Sequence, residues 1–357
     1  MKVRFCDLFL DETKNGFKIK AEEYLENGKY PIVDQGNNSI AGYTNLEKGI
    51  FENIPVIIFG DHTRVIKYID MPFFLGADGV KILKIKLNNV LPKYLFYYLK
   101  NVNIPDTGYN RHFKWLKELN FEIPNLKIQN NIVNNLDRIT TIISLRQRQL
   151  KKLDELVKSR FIEMFGDPLK NTLKWKIKKL KLIAPANEFT GDIESNNEKY
   201  WLLQLDMIES NTGKILSKYF VSLDKIGVST IKFSKDNVLY SKLRPYLNKV
   251  VLPDEAGFAT SEMIPLFPTE ELNKIFLAFV LRDDGIVRFL NAHVSGSKMP
   301  RVQADVFWNL GIILPPSTLQ NQFADFVEQT DKSKLEIQKS LDKLEILKKS
   351  LMQQYFG

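Results

Sequence analysis

A chain of 357 residues, 44% hydrophobic and 26% charged, has the composition of a folded globular protein and the length of two domains or more. No apolar run reaches the ~20 residues that a membrane helix needs, and a single cysteine, Cys6, excludes an internal disulfide and a thiolate zinc cluster. The net charge of +9 makes a polyanion the natural partner.

The start, MKVRFCDLFLDETKNG, lacks the apolar core of a signal peptide, so a cytoplasmic location is expected. The first block, residues 1–123, is mixed. Tyr30 to Val33 and Ile54 to Phe59 read as strands, the second closed by Gly60-Asp61. His62-Thr63-Arg64 follows, then a strand from Val65 to Ile69. Gly76-Ala77-Asp78-Gly79 turns into Val80 to Leu87. Tyr94 to Lys100 reads as a short helix, and Thr107 to Lys114 as a polar, aromatic and basic loop. Leu119 to Ile123 is a last strand.

Residues 124–166 then show helical periodicity. Ile132, Leu136, Ile139, Ile143, Leu150, Leu153 and Val157 recur at steps of four and three, the spacing of a coiled-coil seam. The helix starts after Pro124 and stops at Phe165-Gly166-Asp167-Pro168. About 38 residues at 1.5 Å each make a rod of roughly 57 Å. This helix carries about +4 of the net charge, through residues such as Arg146, Arg148, Lys151, Lys152, Lys158 and Arg160.

The second block, residues 167–314, repeats the plan loosely. Val238 to Tyr240 meets Ser241-Lys242-Leu243-Arg244-Pro245-Tyr246 as Val56 to Phe59 meets Asp61 to Arg64. Phe276 to Leu281 parallels Tyr94 to Leu99, and the loop Ser295 to Arg301 parallels Thr107 to Lys114. Residues 315–357 form a second long helix with Phe323, Val327, Ile337, Leu341, Leu344 and Leu351 on its seam. Its charges sum to about zero.

The two helices align without a gap at a shift of 191, with about a quarter of positions identical. Gln129/Gln320, Leu150/Leu341, Phe165/Phe356 and Gly166/Gly357 are among the matches. Their seams are flawed in different places. Arg146 stands where the second copy has Ile337, and Thr330 and Lys334 stand where the first has Ile139 and Ile143. A helix with a defective stripe wants a partner that is apolar at those levels. The expected architecture is α/β (α+β): one mixed module present twice, each copy followed by a long helix, the helices packing on one another.

No catalytic constellation is visible. There is no Gly-rich phosphate loop, no dinucleotide fingerprint and no Asn/Asp-Pro-Pro-aromatic motif. His62, His112 and His293 lack ligand-like spacing, so no metal site is expected. What is present is contact chemistry in corresponding loops. The candidates are His62, Thr63, Arg64, Lys67, Tyr109, Asn110, Arg111, His112 and Lys114 in the first block. In the second they are Ser241, Lys242, Arg244, Tyr246, Ser297, Lys298 and Arg301. Arg and Lys reach guanine or phosphate, Asn can read adenine, and Ser and Thr serve either role.

The run from Phe59 to Arg64 with Gly76 to Lys81, the run Leu239 to Val250, the loop Gly296 to Val302, and the repeated helix starts and Phe-Gly ends together resemble the specificity subunit of type I restriction-modification enzymes. The resemblance covers the whole chain. It implies two target recognition domains, 1–123 and 167–314, held apart by spacer helices, 124–166 and 315–357, that pair antiparallel with pseudo-twofold symmetry. Each domain would read one half of an interrupted double-stranded DNA site, with half-sites ~34 Å apart. Two methyltransferase (modification) subunits carrying S-adenosylmethionine would dock on the helices, and a restriction/translocase subunit would bring ATP and Mg. This chain would hold no cofactor and catalyse nothing. Three alternatives stay open: a subunit of a type IIB-like system, a non-DNA coiled-coil scaffold joining two protein-binding modules, and a metal-dependent nuclease drawing on Asp61, Asp78, Glu262 and Asp305.

Overall fold

The computed structural model describes residues 1–76, 78–108, 110–194 and 198–357. The long helices run uninterrupted over Leu126–Phe165 and Ser317–Phe356, 40 residues each. The chain divides into two compact units: residues 1–148 with 338–357, and residues 149–337. Each unit therefore owns one globular block, the start of the helix that follows it and the end of the other long helix.

In the first unit the strand Val56–Gly60, an unbroken apolar run buried on both sides, lies between Ile66–Ile69 and Val80–Ile85, antiparallel to both. Continuous burial explains why this strand lacks polar alternation. A second sheet sets Tyr30–Val33 antiparallel to Gly42–Thr44 and parallel to Phe74–Leu75. Lys2–Arg4 pairs with Asn120–Glu122, just before the long helix. The helix Pro92–Asn101, which starts with proline at its first position, buries Tyr94, Leu95, Tyr97 and Leu99.

The second unit repeats these pairings. Val238–Ser241 lies between Val250–Val251 and Met263–Leu266, antiparallel to both. Lys199–Leu203 is antiparallel to Phe220–Ser222 and parallel to Gly257–Thr260. Lys176–Lys179 pairs with Gly311–Leu314 before the second long helix. Lys274–Arg282 takes the place of Pro92–Asn101. This unit adds a strand, Thr230–Phe233, and a helix, Asp284–Ala292, which local sequence reading did not single out. The architecture is thus mixed α and β in both units, with most strand pairings antiparallel.

The identical Gln129 and Gln320 explain how each block is fixed to its helix. Both side chains are fully buried. Gln129 accepts from Leu91 N–H at 2.8 Å and donates to the carbonyls of Asn89 and Pro124 at 3.0 and 2.9 Å. Gln320 accepts from Asn273 N–H at 2.8 Å and donates to Glu271 and Pro315 at 3.1 and 2.8 Å. Leu91 and Asn273 are the residues that open the block's helix. One amide thus ties that helix's start to the strand-to-helix joint in each unit.

The ends of the long helices are buried as well. In the first unit Ile132, Val133 and Leu136 enter the core, and Leu351, Met352, Tyr355 and Phe356 pack on it. Asn135 donates to the Tyr355 hydroxyl at 3.1 Å, and the Phe356 ring lies 5.5 Å from Tyr94. In the second unit Val157, Phe161 and Phe165 share a core with Phe323 and Val327. Asp154 meets Lys334 at 2.7 Å while Phe165 meets Phe323 at 5.5 Å, so the two helix segments of this unit run antiparallel. Gly166 takes a left-handed φ of +73° and caps its helix by donating to Ile162.

Of the expected seam, Ile132, Leu136, Ile139, Ile143, Val157, Phe323, Val327, Ile337 and Leu341 are buried. Leu150, Leu153, Leu344 and Leu351 are half-buried. The expectation that apolar residues meet the defects is corrected at Lys334. Its ammonium is met by Asp154 at 2.7 Å and Asp331 at 3.1 Å. Burial disfavours that charge, but the two carboxylates outweigh it and raise the Lys334 pKa. Thr330 is buried and donates to Phe326 C=O of its own helix at 2.8 Å. Polar partners, rather than an apolar stripe, answer both defects: Asp154 of the facing helix with Asp331 for Lys334, and the Phe326 carbonyl for Thr330.

Candidate nucleic-acid interface

In each unit the central strand ends in a turn that a second loop clasps. In the first unit Asp61 is buried at the centre. Its N–H donates to Gly79 C=O at 2.6 Å, its carbonyl accepts from His112 N–H at 2.8 Å, and its carboxylate accepts from Phe113 N–H at 2.7 Å. In the second unit Lys242 N–H donates to Glu262 C=O at 3.0 Å, and its carbonyl accepts from Val302 N–H at 3.0 Å. The same two backbone bonds align Asp61 with Lys242, Gly79 with Glu262, and His112 with Val302. Arg111 and Arg301 then fall at equivalent positions.

The turns share a backbone feature. Arg64 and Arg244 both adopt left-handed φ, +61° and +50°, uncommon for residues with a Cβ and frequent at functional turns. Arg64 N–H donates to Gly60 C=O at 2.8 Å, and Arg244 N–H to Pro300 C=O at 2.7 Å. Glycine opens each clasping loop, with Gly108 at +75° and Gly296 at +89°.

The candidate side chains divide by where they point. Thr63, Asn110, Arg111, Lys114, Arg244, Tyr246, Ser297 and Lys298 are exposed. Thr63 also donates to Gln35 C=O at 2.6 Å, and Asn110 bonds Thr107 C=O. Lys114 lies over the Trp115 ring. His62 is half-buried, its N–H donating to Gln35 Oε1 at 3.3 Å. Arg64 bonds Ile104 C=O at 3.2 Å and Asp106 at 2.6 Å. Lys242 is half-buried. Tyr109 lies outside the described residues.

Three candidates are corrected from outward contacts to internal ones. Lys67 is buried and pairs with Asp34 at 3.3 Å; burial lowers its pKa while Asp34 resists. His112 is fully buried, with Nδ1 3.0 Å from Asp61 C=O. Ser241 is buried and donates to Leu243 C=O at 3.0 Å. Ile66 and Ile69 of the same strand are buried in different core clusters, so both faces of the strand are covered and Lys67 is carried into the interior whatever its charge.

Arg301 is held by Glu262 through Nε (3.0 and 3.2 Å) and Nη2 (2.6 Å). The bond from Arg301 keeps the Glu262 carboxyl below its ordinary range, burial opposing, with the Arg301 and Lys242 charges helping. Sequence reading missed this buttress, and the Gln35 and Asp34 contacts, because each partner lies 27 to 39 residues away along the chain. It also missed the two lysines over the Phe113 ring, Lys81 at 4.9 Å and Lys117 at 5.1 Å.

Among the described residues no three His, Cys, Asp or Glu side chains group as metal ligands. Of the carboxylates considered for a nuclease, Asp61 caps Phe113, Asp78 pairs with Lys18 and Glu262 holds Arg301. No helix among the described residues is long and apolar enough to cross a membrane.

A family model described as type I restriction modification DNA specificity domain matches residues 2–155 and 173–347. The EcoR124I/EcoR124II specificity subunit of the type I restriction enzyme from Escherichia coli is 21% identical over 350 residues, 90% of this chain and 84% of that protein. The fold is similar to the crystal structure of a type I restriction-modification S subunit from M. genitalium, with TM-score 0.64 and 16% identity over 100% of this chain and 96% of that one. It is also similar to a chain from a type I R-M system described for its complex assembly and conformational transition, with TM-score 0.56 and 12% identity over 100% and 97% of the two chains.

Proposed function

The chain belongs to the type I restriction-modification DNA specificity family, and on that premise we propose that each unit reads one half of an interrupted DNA site through its clasped pair of loops. One observation carries this reading: the same backbone clasp is built twice, and each copy ends in a left-handed arginine turn beside a basic loop. The exposed Arg111, Lys114, Arg244 and Lys298 suit phosphate or base-edge contact. The long helices act as the spacer between half-sites. The chain is non-catalytic and binds no cofactor of its own. Two modification subunits bring S-adenosylmethionine and methylate adenine, and a restriction subunit brings ATP and Mg, all in the cytoplasm.

The test is to map adenine methylation across a genome in cells that contain the partner methyltransferase, with and without this chain. A two-part interrupted motif that depends on the chain is expected. Replacing residues 1–123 with another member's block should change one half of the motif only. Active methyltransferase with no motif dependent on the chain would refute the reading.

A further inference from the structure

Arg301 is a half-exposed guanidinium whose side edge, Nε and Nη2, is fully engaged by Glu262. That leaves the end of the fork, Nη1 and the second N–H of Nη2; Nη1 has no hydrogen bond among the described residues. An end-on fork is the geometry that meets O6 and N7 of guanine in the major groove. The fork is also aimed. Backbone bonding between Leu243 and Arg301, and from Val302 N–H to Lys242 C=O, fixes its loop, while Glu262 fixes its side chain.

Glu262 distinguishes this role from a phosphate contact. Phosphate binding rests on positive charge and tolerates a mobile side chain. A carboxylate bound to the same guanidinium cancels much of that charge and restricts it to one orientation. That combination weakens a phosphate contact and favours a base edge. Arg244 and Lys298, exposed on the same paired loops, remain for phosphate.

We propose that Arg301 reads a guanine in the half-site of the second unit, and that Glu262 is the positioning residue that makes this contact selective. The proposal rests on the specificity-subunit reading. The equivalent Arg111 differs, because Gly79 stands at the place of Glu262 and offers no carboxylate to hold it. The effect therefore belongs to one half-site.

Methylation motifs are compared for the wild-type chain, Arg301→Lys, Arg301→Ala and Glu262→Gln, each expressed with its modification subunit. The wild-type motif tests the underlying reading. If it is present, all three variants should lose discrimination by roughly ten- to hundredfold at one G·C pair of one half-site, the worth of a good bidentate pair. The other half should stay intact. Arg301→Lys is decisive because it keeps the charge and the fold but removes the fork. Unchanged motifs with uniformly weaker methylation would assign Arg301 to phosphate and overturn the proposal. Loss of all methylation in the three variants alike would mark the pair as purely structural and also overturn it.

Discussion

Replacing Gln320 with leucine should destabilise the second unit far more than a surface change would. The side chain is fully buried and makes three hydrogen bonds, at 2.8, 3.1 and 2.8 Å, to Asn273 N–H and the carbonyls of Glu271 and Pro315. Leucine fills similar space but leaves one donor and two acceptors without a partner. At about 1 kcal/mol per lost bond, the expected cost is about 3 kcal/mol. With an m-value of about 3 kcal/mol per molar urea, this moves the unfolding midpoint by about 1 M. Tryptophan fluorescence reports mainly on this unit, which holds Trp175, Trp201 and Trp308 while Trp115 lies in the other. Gln129→Leu should cost a similar amount in the first unit, and the two effects should add because they share no partner. A loss below about 1 kcal/mol at both sites would refute the claim that these amides anchor the helices.

Other consequences can be checked by standard assays. Phe165→Ala should cost about 3–5 kcal/mol, as expected of a buried aromatic, and Phe356→Ala clearly less, because Phe165 is fully buried whereas Phe356 is partly exposed; equal losses in paired melts would contradict the packing described. Lys334→Met should change stability by less than about 1 kcal/mol, because a half-buried ion pair offsets its own desolvation. Its raised folded-state pKa stabilises the fold below the unfolded value of 10.5 and is lost as pH rises beyond it. A wild-type stability drop above pH 10.5 that Lys334→Met reduces is the expected result, and identical alkaline profiles would count against it. Asp61→Ala should leave Phe113 N–H without its side-chain acceptor, cost about 1–3 kcal/mol, and speed proteolysis within residues 104–113. An unchanged cleavage rate there would show that the clasp does not depend on this carboxylate.

The loops show where local reading stops. Arg64, Arg244, Lys298 and Arg301 were visible as basic residues beside glycine, proline and serine turns. That signal marks a loop that can contact an anion, but it cannot assign a direction. His112 has the same signal and points inward through the clasp around Asp61, and Lys67, a basic residue on a strand covered on both faces, is buried as well. The positive φ at both arginine turns has no local sequence mark, since neither residue is glycine, asparagine or aspartate.

By itself the sequence determined the order of the modules, the two long helices, their apolar seams and the duplication, because periodicity and repetition are local properties written along the chain. The matched Gln129 and Gln320 were legible as identities but not as anchors. Only the tertiary structure decided that each helix ends in the other block's unit, that Asp154 and Asp331 meet Lys334, and that Glu262 holds Arg301. Each depends on groups made neighbours by folding, and the free energy of such a contact is set by distance and burial, which sequence separation does not encode.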